Sequence, residues 1–131
     1  MLKGCVIGLG AMGSNHVRVL HELQEEGKTK LVGVADIRED LARKIAEKYG
    51  VEWFTDYKRL LERKPDFVVV SVPTKLHRKV AEDTIVKGCH VLIEKPIAHT
   101  ISDATKMLET AEKRGVQLMV GHIERFNPVV Q

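Results

Sequence analysis

Residues 3–36 constrain this chain more than any other stretch. A short apolar run, Cys5-Val6-Ile7, leads directly into Gly8-Leu9-Gly10-Ala11-Met12-Gly13. A helical pattern follows, then a second apolar run, Leu31-Val32-Gly33-Val34-Ala35, which ends on Asp36. Strand, glycine turn, helix, strand and acid is the order of a dinucleotide-binding βαβ unit. Glycines at this spacing alone are weak evidence, because any α/β protein can carry a glycine-rich turn. Their place between a strand and a helix, with an acid closing the next strand, makes the pattern specific.

Each residue type has a physical reason to be there. Gly8 allows a tight turn out of the strand. Gly10 lacks a Cβ, so the backbone can approach a pyrophosphate, and Gly13 lets the helix pack close to the sheet. The helix N-terminus offers unpaired N–H groups and the positive end of its dipole to phosphates. Asp36 is placed to accept hydrogen bonds from the two ribose hydroxyls of an adenosine half. A carboxylate there opposes a 2′-phosphate, which favours NAD over NADP. Arg38, two residues on, could partly accommodate that phosphate, so NADP stays open.

At 131 residues the chain has room for one domain with a sizeable core. Its 21 basic and 18 acidic residues are interspersed, for a net charge of +3. No basic block points to nucleic acid and no charge run to a disordered tail. No apolar run approaches the ~20 residues a membrane helix needs. Gly8 to Gly13 interrupts the apolar stretch a signal peptide would require. The two cysteines, Cys5 and Cys89, both adjoin apolar runs. Buried free thiols in a reducing cytoplasm are the expectation.

Strand and helix patterns alternate along the chain. Strands are expected at 3–9, 30–36, 52–54, 67–72, 90–94 and 117–123, mostly as the continuous apolar runs of buried parallel strands. Helices are expected at about 12–25, at 39–49 with Gly50 as its stop, and at 56–62. A fourth follows a Thr74 N-cap and stops at Gly88, and a fifth opens at Thr100 and ends near Gly115. Six strands and five crossovers predict an α/β fold. It is a doubly wound, parallel six-stranded sheet (a Rossmann fold) in three layers, ordered 3-2-1-4-5-6. A ligand crevice then lies at the carboxyl ends of the strands.

The remaining unusual segments map to that crevice. Glu94-Lys95-Pro96 closes the fifth strand, and a lysine there suits a proton carrier tuned by partial burial. It equally suits a solvated turn lysine, with Pro96 ending the strand. Ser71-Val72-Pro73-Thr74 closes the fourth strand, where a stiff turn and a helix cap would account for it. Contact with a nicotinamide ribose would be an addition to that role. His77 and His16 read as locally packed histidines. Cys89 and His90 have no partners at metal-ligand spacing, so no metal site is expected. His122 to Asn127 form a polar rim or a domain exit.

Together these residues resemble the glucose–fructose oxidoreductase / inositol dehydrogenase (Gfo/Idh/MocA) family over essentially the whole chain. The carriers are the glycine loop with His16, Asp36, Pro73-Thr74 with His77, Glu94-Lys95-Pro96, and Arg125-Phe126-Asn127-Pro128. The Glu-Lys-Pro triplet is the specific one. The resemblance implies NAD(P)-dependent chemistry at a hydroxyl carbon of a sugar, inositol or nucleotide sugar, with Lys95 catalytic and the Lys95–Pro96 bond often cis. The expected cofactor residues are Gly8, Gly10, Ala11, Met12, Gly13, Asp36, Arg38, Ser71, Pro73, Thr74, His77, Glu94, Lys95 and Arg125. Family members carry a second α+β domain for substrate and oligomer contacts. Residues 1–131 are then expected to be the cofactor domain, inactive alone and part of a homo-oligomer when full length. A non-catalytic dinucleotide or redox sensor is the alternative, and such a sensor does not need Lys95.

Overall fold

The computed structural model describes residues 1–121. Six strands and five helices alternate: β1 (Leu2–Ile7), α1 (Ala11–Glu25), β2 (Thr29–Ala35), α2 (Glu39–Tyr49), β3 (Glu52–Phe54), α3 (Tyr57–Leu61), β4 (Phe67–Val70), α4 (His77–Val86), β5 (His90–Ile93), α5 (Ile101–Arg114) and β6 (Leu118–Val120). The sheet is ordered β3-β2-β1-β4-β5-β6 and every pairing is parallel. This is the doubly wound order expected from the sequence.

Strand alternation divides the core in two. Cys5, Ile7, Val68, Val70, Val91 and Ile93 face one side, where they meet Val80, Ala81 and Ile85 of α4 and Met107 and Ala111 of α5. Val6, Val34 and Val69 face the other side and meet Val17 and Leu20 of α1 and Ala42, Ile45 and Ala46 of α2. The sheet is thus the middle of three layers. Helix ends follow local chemistry. Gly50 and Gly115 close α2 and α5 in the left-handed conformation, and the Thr100 hydroxyl accepts from the Asp103 N–H at 3.0 Å to open α5.

Register fixes where a site can form. Ile7 pairs with Ala35 and Val70, Val70 with Ile93, and Ala35 with Phe54. The last residues of five strands therefore share one rung. The next residues, Gly8, Asp36, Thr55, Ser71 and Glu94, emerge along one edge of the sheet. Backbone bonds hold several in line: Gly8 N–H donates to Ala35 O (2.8 Å), Ser71 N–H to Ile7 O (2.8 Å) and Asp36 N–H to Phe54 O (3.1 Å).

One expectation is corrected. Thr74 does not cap α4. Residues Thr74–Leu76 form a 3₁₀ turn, because the Leu76 N–H reaches back to the Pro73 carbonyl at 2.9 Å. The α-helix starts only at His77, with no side-chain cap. The expected sixth strand, 117–123, is described only to Gly121, and Arg125 with the rest of the 122–127 segment lies outside the described residues. Among those described, no helix is long and apolar enough to cross a membrane.

Candidate active site

The carboxyl edge of the sheet opens into a cleft of about 630 Å³. Gly8, Gly10, Ala11, Met12, Asp36, Arg38, Ser71, Pro73, Thr74, His77, Glu94 and Lys95 all line it. Gly13 does not. Its role is beneath the loop, where an added Cβ would stand 1.8 Å from the Gly8 carbonyl oxygen. Gly8 itself has φ +96°, and a Cβ there would meet the Ser71 backbone at 2.6 Å. At Gly10 a Cβ would meet nothing nearer than the Arg38 guanidinium, at 3.9 Å, so the loop's inner surface is open to the cleft. Closed packing beneath and open backbone above, at the N-terminus of α1, fit a diphosphate.

Asp36 is 8 % exposed at the end of β2. Burial alone would raise its pKa. The Arg38 side chain, the Arg38 N–H, the Leu9 N–H and the Arg38 charge outweigh that and hold the carboxyl below the usual carboxylate range. The contacts are explicit. Oδ1 accepts from Arg38 N (2.8 Å) and Nε (3.0 Å), and Oδ2 accepts from Leu9 N (2.8 Å) and Arg38 Nη2 (3.0 Å).

Two buried histidines brace the other end of the cleft. His16 of α1 hydrogen-bonds through Nε2 to Oε1 of Glu94, the residue before Lys95. His77 sits between two loops, its ring nitrogens 2.9 Å from the Val72 carbonyl and 3.1 Å from the Ile97 carbonyl. The Lys95–Pro96 peptide is cis. Lys95 is exposed rather than partly buried, and no described residue forms an ion pair with it. The partial burial expected for it is not supplied by residues 1–121.

Ile37, Thr55, Tyr57, Leu76 and Val80 also line the cleft and were not among the expected residues. Ile37 and Leu76 offer exposed apolar side chains beside Asp36 and Thr74. Tyr57 donates to Asp83 Oδ2, and burial together with that carboxylate raises its pKa. Thr55 could have been found, since it follows β3 as Asp36 follows β2. No group of three or more potential metal-ligating residues occurs among the described residues. Cys5 and Cys89 are buried free thiols, their pKa values raised chiefly by burial.

The profile of the oxidoreductase family with an NAD-binding Rossmann fold matches residues 2–122. The chain is 32 % identical to 4-carboxy-2-hydroxymuconate-6-semialdehyde dehydrogenase from Sphingobium sp., over 97 % of this chain and 40 % of that protein. The crystal structure of UDP-N-acetylglucosamine 3-dehydrogenase from Acidithiobacillus ferrooxidans is similar at TM-score 0.88 and 31 % identity, over 99 % of this chain and 41 % of that one. The WlbA dehydrogenase from Bordetella pertussis, in complex with NADH and UDP-GlcNAcA, gives TM-score 0.88 at 25 % identity, over 99 % of this chain and 39 % of that one. The chain therefore spans about two fifths of the length of these relatives.

Proposed function

Because the chain belongs to the Gfo/Idh/MocA oxidoreductase family, we propose that it is the cofactor domain of an NAD-dependent dehydrogenase. The proposed substrate is a hydroxyl carbon of a sugar, inositol or nucleotide sugar. The observation that carries the reading is the shared rung, which sets the glycine loop, the Asp36 carboxylate and Lys95 along one cleft.

The assignments follow from chemistry. The open face of Gly10 and the N-terminal N–H groups of α1 hold the diphosphate. Asp36 accepts from the adenosine ribose hydroxyls, and Ile37 and Leu76 flank the adenine. Ser71, Pro73, Thr74, His77 and Glu94 shape the nicotinamide end. When bound, NAD supplies the hydride acceptor. Lys95 then takes or relays the proton of the substrate hydroxyl at Nζ, a role that a non-catalytic sensor would not need.

An exposed Lys95 cannot by itself enclose a sugar, so we take the rest of the substrate pocket, and the homo-oligomer contacts, to lie outside this chain. One relative is named for a muconate semialdehyde and another for a UDP-sugar. This supports a cofactor half that serves several substrates. Buried thiols support a cytoplasmic setting. The test is hydride transfer to NAD in the full-length protein that carries this sequence, with inositols, free sugars and UDP-sugars in turn. Reduction with none of them, in a protein that binds NAD, would refute the proposed substrate class.

A further inference from the structure

An ionised carboxylate offers about four acceptor positions. Four donors already occupy those of Asp36. Two are backbone N–H groups set by the fold. Leu9 is 1 % exposed in the glycine loop, and Arg38 N belongs to the residue that opens α2. The other two are Nε and Nη2 of the Arg38 side chain, which is 60 % exposed. A ribose diol needs acceptor positions on this carboxylate, and only the guanidinium can leave to provide them.

Resting on the reading of this cleft as a dinucleotide site, we propose that Arg38 is a specificity-determining residue that competes with the adenosine ribose for Asp36. Ribose binding is then an exchange, in which two O–H donors replace two N–H donors on the same carboxylate. The guanidinium now lies 3.0 Å from both carboxylate oxygens, so after displacement it stays within reach of the 2′ position. A phosphate there finds a forked cation. Arg38 thus lowers NAD affinity and raises NADP affinity, and it narrows the preference that Asp36 alone would set.

The test is calorimetric titration of the 131-residue chain with NAD and with NADP, for the wild type, Arg38→Ala and Arg38→Lys, at low and high salt. Arg38→Ala is expected to tighten NAD by about two- to fivefold, the scale of an ion pair whose cation is held at the solvent-exposed surface, and to weaken NADP by at least as much. The NAD gain should shrink in high salt, because screening releases the competitor in the wild type as well. Arg38→Lys, a point charge without the fork, should fall between. A structural role for Arg38 predicts no such opposite signs. If Arg38→Ala weakens NAD and NADP alike, or leaves NAD unchanged, the competition does not exist. If the wild type binds neither dinucleotide while melting cooperatively, the cofactor reading falls and this inference with it. Wild-type binding with the wrong response to Arg38→Ala overturns this inference alone.

Discussion

His16 and Glu94 are 78 positions apart in sequence and hydrogen-bonded in the fold. The bond ties α1, which the glycine loop opens, to the end of β5, which Lys95 follows. Both residues are buried, His16 at 1 % and Glu94 at 8 % exposure. His16→Ala removes the donor and leaves a buried carboxylate short of one partner. A loss of about 1–3 kcal/mol of stability is expected, measured by urea denaturation. His16→Gln, which keeps a donor, should recover part of it. Equal stability of His16→Ala and wild type would show that the pair does not hold these elements together.

Gly13→Ala tests the closure under the glycine loop. The new Cβ would stand 1.8 Å from Gly8 O and 2.7 Å from Gly8 C, and both are backbone atoms that cannot rotate away. The helix must move off the strand turn, at about 1–3 kcal/mol, and the loop should lose its fit to a diphosphate. Gly10→Ala meets no such contact. It should fold with near-wild-type stability, and any loss of NAD binding would then come from the ligand side. A Gly13→Ala chain as stable as the wild type would contradict the packing.

Asp36 makes stability depend on acid. Its folded-state pKa lies below its unfolded value. Its contribution is therefore fully present above the ordinary aspartate value of about 3.9 and is lost as pH falls through the folded value. The stability difference between wild type and Asp36→Asn should be constant at neutral pH and shrink below about pH 4. Thermal melts across that range measure it. A difference that stays constant into strong acid would mean the carboxylate is not held in its charged form.

Lys95→Ala is expected to lower turnover of the full-length enzyme by ~10²–10⁴, the usual contribution of general acid–base help. NAD affinity should be nearly unchanged, since Lys95 is exposed and makes no ion pair among the described residues. Steady-state kinetics paired with NAD titration separate the two. A variant that keeps most of its turnover removes Lys95 from the chemistry.

Much of this was legible in the sequence, for identifiable reasons. Buried parallel strands are short apolar runs between glycines and helix caps, so their number and their alternation with helices could be read. The order β3-β2-β1-β4-β5-β6 followed from the doubly wound topology that alternation implies. The glycine loop and Asp36 were legible because each residue type answers a local steric or charge requirement. Ile37, Tyr57, Leu76 and Val80 were not, because lining a cleft depends on register between strands and on where α4 begins. Thr74 misled because a threonine before a helical pattern resembles a cap, while the Pro73 carbonyl had already captured the Leu76 N–H. The His16–Glu94 bond joins two residues that no spacing rule relates. The saturation of Asp36 by Arg38 needed the side-chain geometry, though Asp-x-Arg stood in plain view.

Asp36 is the residue through which this cleft is proposed to grip a dinucleotide. Calorimetric titration with NAD of the wild-type chain and of Asp36→Ala is the decisive measurement. Saturable one-to-one binding by the wild type is expected, with at least tenfold weaker binding by the variant, since hydrogen bonds to a charged group contribute about 1.5–3 kcal/mol. No heat of binding from a cooperatively melting wild-type chain, or equal affinity in an equally folded variant, would contradict it.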